Sequence, residues 1–421
     1  MIKRSFLALS QPRLTHDLLE PDPKPPEEVS LPAGLTLLIG EAVDSTRQPL
    51  IKSGDAVKKG EKLKLYGDST DYAVSPVAGT IKALDVFPDN AGNNGTSISI
   101  EVDSPRTAEE GVQPLPAEDL ATAADYLQCL PGAPAFDVLA NGKINTIVIN
   151  CVDTDLLCTT NQYVGLTHAD ALKEGVTLLK KMTKVPKICI AVPKGLNLAA
   201  TYDNFQVINI DDTFPSALPA MIMKDHLSMV LPAGQTPEDA GVCFIQAEAV
   251  VSMVDAFKTK EPVFEKTFTL LGKDGSPRRV RATIGTPIGA ILTKFSITIN
   301  EQDRLILGGP MRGFATFSTD HPVTPDLDMI MIQDADIIPE LSNNACVNCG
   351  KCVRICPANI PVNLLVRYLE ADEYEEAAER FDLESCIECG LCAYVCTARI
   401  PVYQYIRLGK QELLKLRAAD A

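Results

Sequence analysis

A chain of 421 residues with 46% hydrophobic content carries enough apolar material for roughly three or four domains. Its formal net charge of -16, with no cluster of Lys and Arg, argues against a nucleic-acid binder. No stretch reaches the apolar length needed to cross a bilayer, so membrane contact is expected only through partner proteins.

The N-terminus, Met1 to Leu9, starts like a signal peptide, but its apolar run breaks at Ser10-Gln11-Pro12. It reads as an exposed arm on a cytoplasmic protein. From Leu31 to about Val102, short strands alternate with turn pairs. Ser53-Gly54-Asp55 and Lys59-Gly60-Glu61 punctuate the phrase Pro49 to Leu65, and Ser75-Pro76-Val77-Ala78-Gly79 punctuates Tyr72 to Leu84. This is how biotinyl and lipoyl carriers read, yet the tip Asp68-Ser69-Thr70-Asp71-Tyr72 lacks an acceptor Lys. A barrel-sandwich scaffold without covalent carriage is therefore expected.

Residues 105–120, rich in Pro, Glu and Ala, read as a linker. Ile144 to Asn150 is a run of the kind found in buried parallel strands, and Leu172, Val176, Leu179 and Met182 follow at helical spacing. Lys187 to Val192, Gln206 to Ile210 and Gly241 to Gln246 repeat the strand signal, with Ala247 to Phe257 helical. Such alternation predicts an open α/β sheet. Phe264 to Leu271 and Arg278 to Thr283 then flank the hairpin turn Lys273-Asp274-Gly275-Ser276, and Thr286 to Phe295 is a short helix. After the strand Arg304 to Leu307 comes Gly308-Gly309-Pro310-Met311-Arg312-Gly313. As a phosphate cradle it is weakened by Pro310, which removes a donor, and a tight turn at a domain edge is expected instead.

Asp153 and Asp155 read as solvated turn carboxylates, because no His or nucleophile stands near them in sequence. The four histidines, His16, His168, His226 and His321, show no metal spacing, and a capping or surface role suffices for His168. No catalytic residue is assigned. Cys129, Cys151, Cys158, Cys189 and Cys243 are scattered singly and read as small buried hydrophobes of a reducing compartment.

The remaining eight cysteines form two runs, Cys346, Cys349, Cys352, Cys356 and Cys386, Cys389, Cys392, Cys396. Each reads C-x2-C-x2-C-x3-C. In that spacing one loop wraps three thiolates around a [4Fe-4S] cube while the fourth Cys completes the cube of the other run. The expected ligand sets are thus Cys346, Cys349, Cys352 and Cys396 for one cube, and Cys386, Cys389, Cys392 and Cys356 for the other. Structural zinc would use two C-x2-C pairs and four ligands, which leaves the third Cys of each run unexplained. Gly350 and Gly390 follow the second Cys of each run, where positive φ lets backbone N–H groups turn toward sulfur. Pro357 follows the fourth Cys of the first run, and Thr397 stands in its place in the second. Between the runs, Val362, Leu365, Val366, Leu369, Ala377, Ala378 and Phe381 recur at helical steps, the layout of an α-helical two-cluster ferredoxin. Val402, Tyr405, Ile406, Leu413, Leu414 and Leu416 suggest a further helix packed over the clusters.

With these pieces in order, the chain resembles the C subunit of the Rnf ion-translocating electron-transport complex, and more distantly the nucleotide-oxidising subunit of respiratory complex I. The resemblance covers nearly the whole length: the barrel sandwich at Pro49 to Leu84, the strand Ile144 to Asn150, Gly308-Gly309-Pro310-Met311 and the closing run Cys386 to Cys396. It implies a multidomain α/β fold with an N-terminal arm (1–30), a biotinyl-like barrel-sandwich hybrid domain (31–104), a Rossmann-like α/β domain of the NADH/FMN type (120–260), an SLBB-like β-grasp domain (261–318) and an α-helical two-[4Fe-4S] ferredoxin domain (340–412). Where that family binds NADH and FMN with Gly-Gly-Ala-Gly-Phe-Pro-Thr, this chain has Leu130-Pro131-Gly132-Ala133-Pro134-Ala135-Phe136, and the flavin segment Glu-Cys-Glu-Pro appears as Cys151-Val152-Asp153-Thr154-Asp155. A bulky residue at a point of close approach displaces a flat ring or a diphosphate, so direct NADH oxidation is expected to be lost, and the same argument counts against FMN.

The resemblance implies an electron-transfer subunit of an Rnf-type translocase, peripheral on the cytoplasmic side of the inner membrane, with the other members of the complex and a ferredoxin or similar carrier as partners. The alternative is a soluble iron-sulfur adaptor serving one dedicated reductase, as in cobalamin reduction.

Overall fold

The computed structural model describes residues 14–15, 19, 21–44, 46–89, 92–103, 115–196, 198–316, 318–338, 341–342 and 344–420. The signal-like start Met1 to Leu9 and residues 104–114 of the linker lie outside them.

In the strand Gly34–Ile39, alternation turns Leu35, Leu37 and Ile39 inward. Asn94–Val102 pairs antiparallel with it on one side and with Gly79–Pro88 on the other. Ala56–Val57 completes a four-stranded sheet, and Lys62–Leu63 with Ala73–Val74 makes a separate pair. Together they enclose Leu35, Leu37, Leu63, Leu65, Ile81, Ile98 and Ile100. The expected turns at Gly54 and Gly60 are present with positive φ, and their amides reach the Ile81 and Ser75 carbonyls.

The second sheet is wholly parallel, ordered Gln206–Ile210, Lys187–Pro193, Thr146–Asn150, Val242–Gln246. All five residues of its third strand are buried, which is why that segment reads as an unbroken apolar run. Ile147 and Ile149 point into the core beneath the helices Thr160–Thr167, Ala169–Thr183 and Ala247–Thr259. Val148 points to the opposite core, closed by the helix Pro219–His226. Ala169–Thr183 and Ala247–Thr259 cross at Gly175, where a Cβ would run into Val250.

The third sheet is mixed and six-stranded, in the order Phe314–Thr316, Arg304–Leu307, Met329–Gln333, Glu265–Leu271, Pro277–Thr283, Glu27–Glu28. Two of its strands depart from the expectation. Met329–Gln333 lies inside the sheet, beyond residue 318 where the β-grasp segment is expected to end. Glu27–Glu28 pairs in parallel with Pro277–Thr283, and Leu14–Thr15 pairs with Thr213–Phe214, so these parts of the expected free arm are strapped along two modules.

The C-terminal module is helical: Lys351–Ile355, Val362–Leu369, Tyr374–Phe381, Leu391–Tyr394 and Val402–Asp420. The helical segment between the cysteine runs is two helices, turned at Asp372 with φ of +59°. Ile360, Leu365, Val366, Leu369, Leu383, Ile406 and Leu413 form its core, which Cys356 and Cys392 join. The last helix packs over this core as expected, and at Gly409 it leaves no room for a Cβ beside Leu369. Among the described residues, no helix is long and apolar enough to cross a membrane.

Candidate metal centre

The two cysteine runs fold alike because the backbone takes positive φ at matching places: Asn348 and Glu388, Gly350 and Gly390, Asn359 and Arg399. Only the glycines of this set are legible in the sequence. Gly350 and Gly390 serve as the N-caps of Lys351–Ile355 and Leu391–Tyr394, and the amides of Asn359 and Arg399 turn back onto the Cys356 and Cys396 carbonyls. Glu388 N donates to Cys386 Sγ at 3.4 Å. The amides of Leu391, Lys351, Val353, Ala358 and Ile360 lie near enough to Cys389, Cys349, Cys352 and Cys356 to favour their thiolates. Such donors favour the thiolate and tune the potential of whatever it binds.

The runs also meet crosswise. The Cys356 thiol lies close enough to feel Cys386, Cys389 and Cys392. Cys346, Cys349, Cys352 and Cys396 line one cavity with Val347, Val362, Val366 and Ile400. Thr397, at the place Pro357 holds in the first run, sets its hydroxyl 3.4 Å from Cys349 Sγ.

The two sets differ in environment. Cys356, Cys389 and Cys392 are buried; Cys349 is exposed, with Cys346, Cys352 and Cys396 half-buried. Burial pushes the Cys389 thiol up to about 12 and Cys386 to about 11, with the neighbouring thiols adding to the rise. The Thr397 hydroxyl and the Lys351 amide hold Cys349 below the ordinary thiol value. Four desolvated thiolates facing one another are unfavourable alone and favourable around a cationic core, so the inner set fits an iron-sulfur cube. Among the described residues, no three His, Cys, Asp or Glu side chains converge as ligands of a single metal ion. A cube asks for something different, since its four thiolates each bind a different iron.

The carboxylates Asp153 and Asp155, expected in solvent, are both held inside. Asp153 accepts from Asn161 N (2.8 Å), Gln162 N (3.2 Å) and Cys158 Sγ (3.3 Å), capping the helix Thr160–Thr167, and burial raises its pKa. Asp155 accepts from Met311 N (3.1 Å) and Arg312 N (2.7 Å), and burial raises it too. The donors of the Gly308–Gly313 loop thus clasp a carboxylate of the chain itself, and a Cβ on Gly309 would strike it. On its other side the loop meets the second cysteine run. Arg312 Nε donates to the Glu388 carbonyl (3.3 Å), and the Met311 carbonyl sits where a Cβ on Gly390 would lie.

Asp155, Val152, Pro193, Asp212, Met311 and Tyr394 line a crevice of about 710 Å³ at the carboxyl ends of three parallel strands. That is where open α/β sheets take ligands. Next to it lies a group that sequence reasoning misses: Lys266, fully buried, paired with Glu248 and with Asp328 (3.2 Å), which also accepts from Gln246 Nε2 and Asn161 Nδ2. The available signal is phase, since Lys266 alternates in step with Phe268 and Leu270. The loop Leu130 to Phe136 is folded onto its own chain. Gly132 donates to the Pro325 carbonyl (2.7 Å), and a Cβ there would come within 2.6 Å of Ala249 N.

Among the described residues, no histidine belongs to either thiol set. His168 makes no side-chain cap and instead contacts the Thr167 hydroxyl, while His321 is buried against Phe87 and Phe314. Of the single cysteines, Cys151, Cys158, Cys189 and Cys243 are buried as expected, and Cys129 is half-buried.

Comparison with known proteins agrees with the thiol geometry. A family model described as "4Fe-4S dicluster domain" matches residues 344–400. The C subunit of the ion-translocating oxidoreductase complex of Vibrio cholerae is 28% identical over 377 residues, 83% of this chain and 48% of that one. The chain therefore spans about half the length of that relative. The C subunit of the proton-translocating ferredoxin:NAD(+) oxidoreductase complex of Clostridium ljungdahlii is 25% identical, covering 92% of this chain and 90% of its own. Its counterpart from the Na(+)-translocating complex of Acetobacterium woodii is 24% identical, covering 81% of each.

Proposed function

We propose that this chain, similar over most of its length to C subunits of ion-translocating oxidoreductase complexes, is the peripheral iron-sulfur member of such a complex, docked through partner proteins on the cytoplasmic side of the membrane. Cys346, Cys349, Cys352 and Cys396 hold one [4Fe-4S] cluster, and Cys386, Cys389, Cys392 and Cys356 hold the second. When bound, the cubes supply one-electron redox chemistry. The chain holds their thiolates crosswise, aims the Glu388 amide at Cys386, and packs Cys389 of the inner set against Met221, Met311 and Leu391. The observation carrying this reading is the crosswise grouping of the two runs: Cys356 packs in one cluster with Cys392 and Cys386, and Cys396 lines one cavity with Cys346, Cys349 and Cys352.

Direct NADH oxidation is absent in this reading, and FMN with it. Gly132 is pinned between Pro325 and Ala249, and the Met311 and Arg312 amides are taken by Asp155 while those of Gly308 and Gly313 bond backbone carbonyls, so two donor loops that could approach a flavin or diphosphate are occupied. Anaerobic reconstitution is expected to give about eight irons per chain and a visible absorbance that dithionite bleaches and NADH leaves unchanged. Bleaching by NADH alone would sink the second half of the proposal; zinc in place of iron would sink the first.

A further inference from the structure

The crevice at the carboxyl ends of the parallel strands has the wrong sign for a nucleotide. Asp153, Asp155, Asp211 and Asp212 line it, and among its described lining residues there is no Lys, Arg or His. A phosphate placed there would meet carboxylates with no counter-charge on the walls. Three of the four carboxylates are already engaged. Asp153 and Asp155 accept from backbone amides of the chain, and Asp211 pairs at 3.2 Å with the exposed Lys194. Asp212 is different: among the described residues its carboxylate has one contact, a long 3.4 Å bond from Gly195 N.

A second side chain in the crevice lacks a donor. Gln162 is only 5% exposed, and its Oε1 has no hydrogen-bond partner. A buried acceptor left in that state is costly, and a bound N–H removes the cost. The rest of the wall is apolar, with Val152, Ile210, Phe214 and Met311 on the sheet side and Tyr394 from the second cysteine run. Its volume of about 710 Å³ is that of a site for a small organic molecule. Among the described residues no three carboxylates converge on one metal ion, so the walls call for an organic donor and not a bare cation.

We propose that this crevice binds an organic ammonium ion with an apolar, ring-sized body, its N–H groups shared between Asp212 and Gln162. The inference rests on the reading above that the chain takes neither NADH nor FMN, and it assigns to the same position a ligand of the opposite charge. Binding is non-covalent, with the ammonium held as a charge-assisted hydrogen-bond donor.

The test is calorimetric titration of the reconstituted full chain with three probes that share an indole ring: tryptamine, the neutral tryptophol and the anionic indole-3-propionate. Tryptamine should bind at least about tenfold tighter than tryptophol, as a charge-assisted bond requires, and indole-3-propionate should not bind. Asp212→Asn should bring tryptamine down to the tryptophol level and leave tryptophol itself unchanged. Gln162→Leu should weaken tryptamine and yet keep or raise the thermal midpoint, because it removes an acceptor that the free chain leaves unsatisfied. A glutamine with only a structural role would lower the midpoint instead. Iron content should match the wild type in both variants. If Asp212→Asn does not fold, the probe series on the wild type and Gln162→Leu decides alone. Equal affinity for the three probes, no heat from tryptamine at millimolar concentration, or an Asp212→Asn variant that binds tryptamine like the wild type would overturn the proposal. Tight binding of FMN would defeat the reading beneath it, whereas a chain that takes neither FMN nor tryptamine defeats this inference alone.

Discussion

Lys266 shows how much one side chain can hold in place. Its ammonium is fully buried between Glu248 and Asp328, which keep it charged by raising its pKa further above the ordinary lysine value than burial lowers it. Lys266→Met would leave two carboxylates facing each other out of water, at a cost of about 3–5 kcal/mol. Chemical unfolding followed on the parallel and mixed sheets should show that loss, and adding Glu248→Gln to the variant should recover part of it. Asp155 acts as a tie of another kind. Its oxygens satisfy amides of a loop contributed by a different sheet, which a chain read locally presents only as a polar turn.

Among the elements, the two cysteine loops differ in how tightly they are seated. Gly390 has φ of +76° and faces the Met311 carbonyl, backbone that cannot yield; Gly350, at +69°, faces only the flexible tip of Arg354 at 3.2 Å. Gly350→Ala should therefore cost about 1 kcal/mol of left-handed strain and keep its iron. Gly390→Ala should unseat the second loop and release about half of the iron, since one of the two proposed cubes would be affected. Iron analysis and the electron paramagnetic resonance spectrum of the reduced protein distinguish these outcomes. The same elements show what the amino-acid pattern makes legible. Thr146–Asn150, Gln206–Ile210 and Arg304–Leu307 are readable because buried strands need unbroken or alternating apolar residues. Met329–Gln333 escapes because five Met, Ile and Gln residues suit a short helix as well as a strand. The dicluster segment is legible from the cysteine spacing alone, whereas Asp153, Asp155, Glu248 and Asp328 owe their surroundings to partners far along the chain.

At the scale of the whole molecule, the C-terminal module draws part of its core from its cysteines. Cys356 and Cys392 pack directly with Leu365, Leu383 and Ile406, and Cys346, Cys352, Cys386 and Cys396 lie against them. The parallel sheet and the barrel-like sheets have cores of their own, built from Ile147, Ile149 and Val250 or from Leu35, Ile81 and Ile98. Removing iron with a chelator under reducing conditions should therefore open residues 344–420 to hydrogen exchange while leaving the strands of the other modules protected. Uniform loss of protection would mean that the modules unfold as one unit.

The Gly308–Gly313 loop limits how freely such a molecule can be rebuilt from parts. It answers to Asp155 on one side and to Glu388 and Gly390 on the other, with no slack at either contact. A ferredoxin module transplanted from a relative will seat only if residue 155, the loop and the second cysteine turn are exchanged as a set. Separate segments of the gene are in this sense a single inherited unit, and recombination between them will be silent only where all three travel together.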